Sequence, residues 1–291
     1  MKTQVITICS LGHSAVWKLT SSLLPEYVRA DEYLVFVPED EVLEFEKITN
    51  PRIVVRSQNE LGAHYSKELW CRISEKQNEI RFGWYLQQFY KIEALLQAEA
   101  ELLVIWDADC VPVRSIKVFD EHGSPVYMTG AHEYNPAYFE AIGRLMNLNR
   151  VQEMSFVIPG FPIPKSWVQE FEIFLTVKHK GKTWFDAIMD TTDFSLKSGF
   201  SETETLGTFV ANMHSAEWST FTGKWERRGQ KRFGYARKFS PKKIVKVARR
   251  FELDIVSFEN WDTRGIRLVM RRLSEKWQKL RLGWAQVDKH Q

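Results

Sequence analysis

The chain has 291 residues, 44% of them hydrophobic and 26% charged, which suits one large globular domain or a domain with an appendage rather than two full domains. Three cysteines with no C-x-x-C pair (Cys9, Cys71, Cys110) exclude a disulfide framework and a zinc knuckle, and no apolar stretch is long enough to span a bilayer. The net charge of +3 is small, but the basic residues crowd between Lys224 and Arg250, a segment whose only acid is Glu226.

Met1–Gln4 leads directly into Val5–Cys9, with neither an h-region nor a small-residue cleavage site, so the expected location is a reduced cytoplasm. Val5–Cys9 reads as a buried strand and Ser14–Leu24 as a helix stopped near Pro25. Tyr33–Val37 is a second strand, Glu39–Phe45 a short helix and Arg52–Val55 a third strand. Phe82–Ala98 has the period of a helix and Glu101–Trp106 that of a fourth buried strand. Short apolar runs separated by helices indicate βαβ units and a mostly parallel sheet flanked by helices. The runs at Val126–Met128 and Ser155–Ile158 are expected to extend it, with room for an antiparallel member. Phe161–Pro164 reads as a rigid connector, Ser166 as the cap of a helix to Lys178, and Trp184–Met189 as another helix. The last amphipathic stretch, Gly265–Leu282, aligns Ile266, Val269, Met270, Leu273 and Trp277. This organisation divides the chain into a domain over 1–220 and a basic helical extension over 221–291. Eleven Trp and nineteen Phe exceed the needs of such a chain; a bulky core is the ordinary use, sugar or base pockets the other.

The segment with the clearest chemistry is Leu102–Asp109, a buried strand that delivers Asp107 and Asp109 at its carboxyl end, where ligands bind in open α/β sheets. Two hard oxygen donors suit Mg²⁺ or Mn²⁺, which complete their coordination with phosphate oxygens and water. The bland use of the same pair is to cap a loop.

Gly83-Trp84-Tyr85-Leu86-Gln87-Gln88, Asp107-Ala108-Asp109, His132-Glu133-Tyr134 and Ser201-Glu202-Thr203-Glu204-Thr205-Leu206-Gly207 occur in that order. Together they resemble a bacterial family of largely uncharacterised glycosyltransferases, over roughly residues 5–213. Leu206, Thr208 and the basic C-terminal region depart from its pattern. The resemblance implies a GT-A-like (Rossmann-like) fold, a nucleotide-sugar donor with Mn²⁺ or Mg²⁺, a glycan or lipid-linked acceptor and a role in surface polysaccharide synthesis. It implies that Asp107 lies near the ribose and metal, that Asp109 is the firmer metal ligand, and that His214 is placed in the chain to complete the metal site. It also makes Thr7, Cys9 and Ser10, at the end of the first strand, donor-site candidates.

Adjacent helical residues point about a hundred degrees apart, so one of Gln87 and Gln88 faces inward, towards the donor or as a pin between loops. Lys91 reads as a solvated lysine, with a phosphate as its other partner. His132 and Glu133 are candidates for general acid/base work on the acceptor side. Glu202 and Glu204 are the other candidate catalytic carboxylates. If Ser201 is an N-cap, Glu204 closes a capping box and Glu202 is left free to act. The basic segment suits a solvated face or an anionic membrane surface; nucleic acid is disfavoured because no nucleic-acid fold motif accompanies the charge. Two rival functions are a basic nucleic-acid-binding protein and a nucleotidyltransferase, the latter weakened by the single glycine and absent basic cluster in Ser10–Ser14.

Overall fold

Leu102–Trp106 is buried at every position, so this run must lie between layers on both faces and cannot form an edge. The computed structural model, which describes residues 1–62, 64–130 and 133–259, places it so. The strands are β1 (Thr3–Ile8), β2 (Glu32–Val37), β3 (Val54–Ser57), β4 (Leu102–Trp106), β5 (Cys110–Pro112), β6 (Val126–Thr129), β7 (Gly160–Pro164), β8 (Ser219–Thr222), β9 (Trp225–Glu226) and β10 (Ile255–Ser257). The helices are α1 (Ser14–Tyr27), α2 (Val42–Ile48), α3 (His64–Glu75), α4 (Phe82–Gln97), α5 (Pro136–Met146), α6 (Lys165–Lys178), α7 (Trp184–Thr191), α8 (Glu202–Met213), α9 (Gly229–Phe233) and α10 (Pro241–Arg249).

The main sheet has the order β3-β2-β1-β4-β7. Its first four strands are parallel and β7 is antiparallel to β4, with Leu102 opposite Pro164 and Trp106 opposite Gly160. Alternation along β1 and β4 divides the core: Ile6, Ile8, Leu103 and Ile105 pack with α3, α4, α6 and α8, while Val5, Val104 and Trp106 pack with α1 and α2. The expected mixed, mostly parallel sheet flanked by helices is what the chain forms.

Several expectations are corrected. Phe161–Pro164 is the edge strand β7 rather than a connector; Phe161 and Ile163 are fully buried, and an edge position tolerates the missing N–H of Pro162 and Pro164. Ser155–Ile158 is a loop, and β6 leaves the main sheet to pair in parallel with β8. The helix α6 begins at Lys165 behind Pro164, so Ser166 lies inside it and caps nothing. Pro25 sits within the last turn of α1, where losing one backbone bond does not stop the helix. The segment after residue 221 is built into the same body as far as Glu259: β10 pairs with β5, and Ile244, Val245 and Ala248 of α10 pack with Val16, Leu19 and Leu23 of α1. The stretch Gly265–Leu282 lies outside the described residues. Among the described residues no helix is long and apolar enough to cross a membrane, and Cys9, Cys71 and Cys110 are free.

α8 approaches the loop before β7 so closely that a Cβ on Gly207 would stand 2.0 Å from Cγ of Phe156. Nothing lies within 4 Å of the same position on Gly83 in α4. Gly207→Ala is therefore expected to cost about 1–3 kcal/mol through overpacking, even though alanine favours a helix by about 1 kcal/mol over glycine. Gly83→Ala is expected to be neutral or stabilising, and urea unfolding of the two variants checks the contrast.

Candidate active site at the ends of β1 and β4

Because β1 is followed by β2 on one side and flanked by β4 on the other, the chain diverges at the carboxyl ends of β1 and β4, the switch point at which open α/β sheets form a ligand crevice. The loop after β1 forms one wall. His13 N–H donates to Ser10 O at 2.9 Å, and Leu11 N–H donates to Glu41 Oε2 at 2.7 Å. Gln58 Nε2 donates to Cys9 O at 3.0 Å, tying this loop to the one after β3.

The turn after β4 forms the other wall, and each of its residues is held. Asp107 N–H donates to Pro159 O, the Thr20 hydroxyl to Ala108 O and Phe258 N–H to Asp109 O, each at 2.9 Å. Cys110 N–H returns to Asp107 O at 3.1 Å. The carboxylates of Asp107 and Asp109 thus project, half-buried, from a fixed frame.

Lys91, buried on α4, reaches this turn from below: its Nζ lies 2.7 Å from Asp107 Oδ1 and 2.6 Å from Glu202 Oε1. Burial alone would lower its pKa, but the two carboxylates outweigh that and hold it above its ordinary value. On the far side β10 carries the chain past Asp109 to Glu259. Burial pushes the Glu259 carboxyl up to about 8, Asp109 and Asp107 adding to the shift and Arg227 opposing it. Arg227 bridges Glu259 at 3.4 Å and Glu133 at 2.8 Å, with its guanidinium 4.7 Å from the centre of the Trp225 ring. Burial likewise raises Asp109; Asp107 adds to this and His13 opposes it. Lys91 and Arg227 face Asp107, Asp109, Glu133, Glu202 and Glu259, so carboxylates outnumber the fixed cations.

That excess of hard oxygen donors fits a divalent cation of the Mg²⁺ or Mn²⁺ kind. Among the described residues no group of three or more His, Cys, Asp or Glu could hold a metal by itself. The arrangement that fits is one or two carboxylates, Asp109 and Asp107, completed by phosphate oxygens and water.

The other expected site residues separate. Ser10 is half-buried at the crevice, but Thr7 is fully buried within β1 and Cys9 packs with Trp17 and Val35. Neither Thr7 nor Cys9 opens on the crevice, because both belong to the α1–α2 side of the core. Of the glutamine pair, Gln88 is the buried one: its Oε1 accepts from Glu202 N–H at 3.1 Å and its Nε2 donates to Trp84 O at 3.2 Å, so it pins α8 to α4. Gln87 is half-buried. Glu202 is not free to act as a base, since it is buried and paired with Lys91. Glu204 accepts from the Ser155 hydroxyl at 2.7 Å and Phe156 N–H at 3.2 Å; it anchors a loop instead of facing a substrate. Ser201 caps α8 by accepting from Glu204 N–H at 3.3 Å, which realises half of the expected capping box. His214 follows the other end of α8, about 18 Å along its axis from Glu202 at the rise of a helix. Its ring stacks on Trp167 at 4.1 Å and lies within 3.1 Å of Glu170 and Glu217, so it is not brought to Asp109. Glu133 is near the crevice through Arg227, and His132 lies outside the described residues.

Sequence reasoning passed over His13, Gln58, Arg227 and Glu259 and misjudged Lys91. For Lys91 a signal existed: it interrupts the otherwise apolar run Phe89-Tyr90-Lys91-Ile92, three residues after the inward-facing Gln88.

Residues 19–219 match a family described as a family of unknown function (DUF6492). No curated protein matches the chain. Among solved structures the apo form of mouse xyloside xylosyltransferase 1 is similar at 10% sequence identity, covering 91% of this chain and 100% of that one, with a TM-score of 0.45. A likeness that distant transfers neither residues nor chemistry.

Two outcomes follow from the buried charges. Lys91→Met leaves Glu202 buried without a counter-charge and is expected to cost about 3–5 kcal/mol of stability; adding Glu202→Gln restores part of the loss, which a double-mutant cycle in urea measures. A cost below about 1 kcal/mol, well under that of a broken buried pair, would show that the ion pair is not buried as described. Glu204 has its pKa raised, first by burial, so the folded state keeps this proton to higher pH than the unfolded chain. Stability is therefore lost as pH rises from the ordinary carboxylate range of about 4 through that raised value. Glu204→Gln, which retains an acceptor oxygen but cannot ionise, should flatten this part of the stability–pH curve.

Proposed function

We propose, for a chain that belongs to the family of unknown function DUF6492, that the crevice binds the diphosphate of a nucleotide sugar and that the protein transfers the sugar to a glycan or lipid-linked acceptor. One observation carries the reading: two half-buried carboxylates, Asp107 and Asp109, stand on a fully hydrogen-bonded turn at the switch point of a parallel sheet, amid more negative than positive charge. The ordered motifs around Gln88, Asp107, Glu133 and Glu202 support the same reading through the family they resemble.

Asp109, with Asp107, would hold Mn²⁺ or Mg²⁺, which when bound neutralises the diphosphate leaving group. The remaining work belongs to this chain's own residues. Lys91 holds the Asp107 carboxylate in place at the crevice through the 2.7 Å contact. The loop Cys9–His13, braced by Glu41 and Gln58, shapes the wall for the nucleoside. Across from it, Arg227 fixes Glu133 and Glu259 on the wall that faces Asp109. We assign to Glu259, in its ionised form, the uptake of the acceptor's proton, a role that supplies about 10²–10⁴ in rate.

A panel of nucleoside diphosphates with and without Mn²⁺ tests the donor site. One diphosphate plus Mn²⁺ is expected to raise the melting temperature by about 5 °C or more at a hundredfold excess over its Kd, and Asp109→Asn to abolish the rise. Failure of the whole panel, or a rise that Asp109→Asn leaves intact, would refute the assignment. With the donor identified, Glu259→Gln should lower the transfer rate by about a hundredfold or more with the thermal shift retained.

A further inference from the structure

Apart from Arg227 and the Trp225 ring beneath it, the site described above leaves the basic segment unused. The cations of α10 lie on the outside of a small unit in which that helix and the turns before it cover α1. The apolar side of α10, Ile244, Val245 and Ala248, is buried, which clamps the helix and turns Lys242, Lys246, Arg249 and Arg250 to solvent. Elsewhere in the segment Lys224 pairs with Glu252, Arg232 with Glu226, and Arg227 with Glu133 and Glu259. Among the described residues none of those four α10 cations is ion-paired. Like charges held this close on a rigid helix repel one another, so the face carries a standing preference for an anionic surface.

Its form decides which anionic surface. Arg237 and Lys238 lie over the ring of Tyr235, and Lys243 lies 5.4 Å from the centre of Phe239, so cations occupy ring faces on which a base would have to stack. Phe251, just beyond α10 and next in sequence to Arg249 and Arg250, is 44% exposed, its ring against Phe233 and under Arg232, an apolar edge at the margin of a basic helix. An exposed helix face studded with lysine and arginine and edged by an exposed phenylalanine matches a plane of lipid head groups.

We propose that the exposed basic face of α10, with the turns before it, docks the protein on a membrane surface rich in anionic lipid. The face is joined to the crevice through Phe239, whose ring lies 6.1 Å from that of Phe258, the residue that donates to Asp109 O and precedes Glu259. Resting on the function proposed above, docking there sets the crevice beside the surface in which a lipid-linked acceptor is embedded.

Co-sedimentation of the full chain with vesicles tests docking without any assay of sugar transfer, so the two proposals fail separately. Binding is expected to phosphatidylcholine vesicles containing phosphatidylglycerol, not to pure phosphatidylcholine, and to weaken as salt shortens the reach of the charges below about 8 Å. Each surface cation adds about fivefold to such binding, so reversing Lys242, Lys246, Arg249 and Arg250 to Glu should weaken it by more than about a hundredfold. The same positions changed to Gln, with melting temperature unchanged, should weaken it in the same direction if reversal harms folding. Equal binding to neutral vesicles, undiminished binding by both variants, or tighter binding to a duplex or single-stranded oligonucleotide than to anionic vesicles would overturn the proposal.

Discussion

An ammonium group removed from water is tolerated only where negative charge and hydrogen-bond acceptors replace its hydration, and the penalty otherwise is several kcal/mol. Lys91 meets that condition by standing between Asp107 and Glu202, at 2.7 and 2.6 Å. The three side chains come from a helix, the turn after the central strand and the first residue of α8, so one electrostatic requirement sets the relative position of all three. Gln88, one turn earlier on α4, adds a hydrogen bond to the backbone of the same glutamate. α8 therefore enters the fold at a fixed point, and the close approach of Gly207 to Phe156 follows from where its first turn is held.

The crevice is assembled from long-range pieces on this frame. β4 ends in the Asp turn and passes at once into β5, whose antiparallel partner β10 returns the chain past Asp109 to Glu259. Arg227, from the segment after β9, keeps Glu259 and Glu133 together. The basic stretch that composition marks off as an appendage is thus, up to Glu259, what closes one side of the crevice. Its charge is segregated: Arg227 points to the carboxylates, while the cations of α10 point to solvent.

The carboxylate pair Glu202 and Glu204 shows how a single motif divides its labour. Successive helical positions point in different directions, and α8 begins between two layers, so one glutamate is turned to Lys91 and the other to the loop at Ser155. Both are buried for structural reasons, which leaves the half-buried carboxylates of Asp107 and Asp109 on the turn and of Glu133 and Glu259 on the opposite wall.

Local pattern was sufficient for the central layer. The apolar runs Leu102–Trp106, Val5–Cys9 and Tyr33–Val37 and the helical period of Phe82–Ala98 express burial through nearest neighbours, and they determine a parallel sheet with Asp107 and Asp109 at its carboxyl edge. The helices α3 and α5 went unread although both carry local signals: Tyr65, Leu69 and Ile73 have helical spacing, and Asn135 caps α5 with Pro136 in its first turn. The prolines of β7 hid a strand, since their fitness for a sheet depends on lying at its edge, a property of the whole sheet and not of the segment. Only the tertiary structure decided that Lys91 is interior, that Glu202 is its partner, that Glu259 reaches Asp109 and that His214 does not. Each of these facts pairs groups far apart in the chain, and the energy of a buried charge depends on what surrounds it in space; no local spacing carries that information.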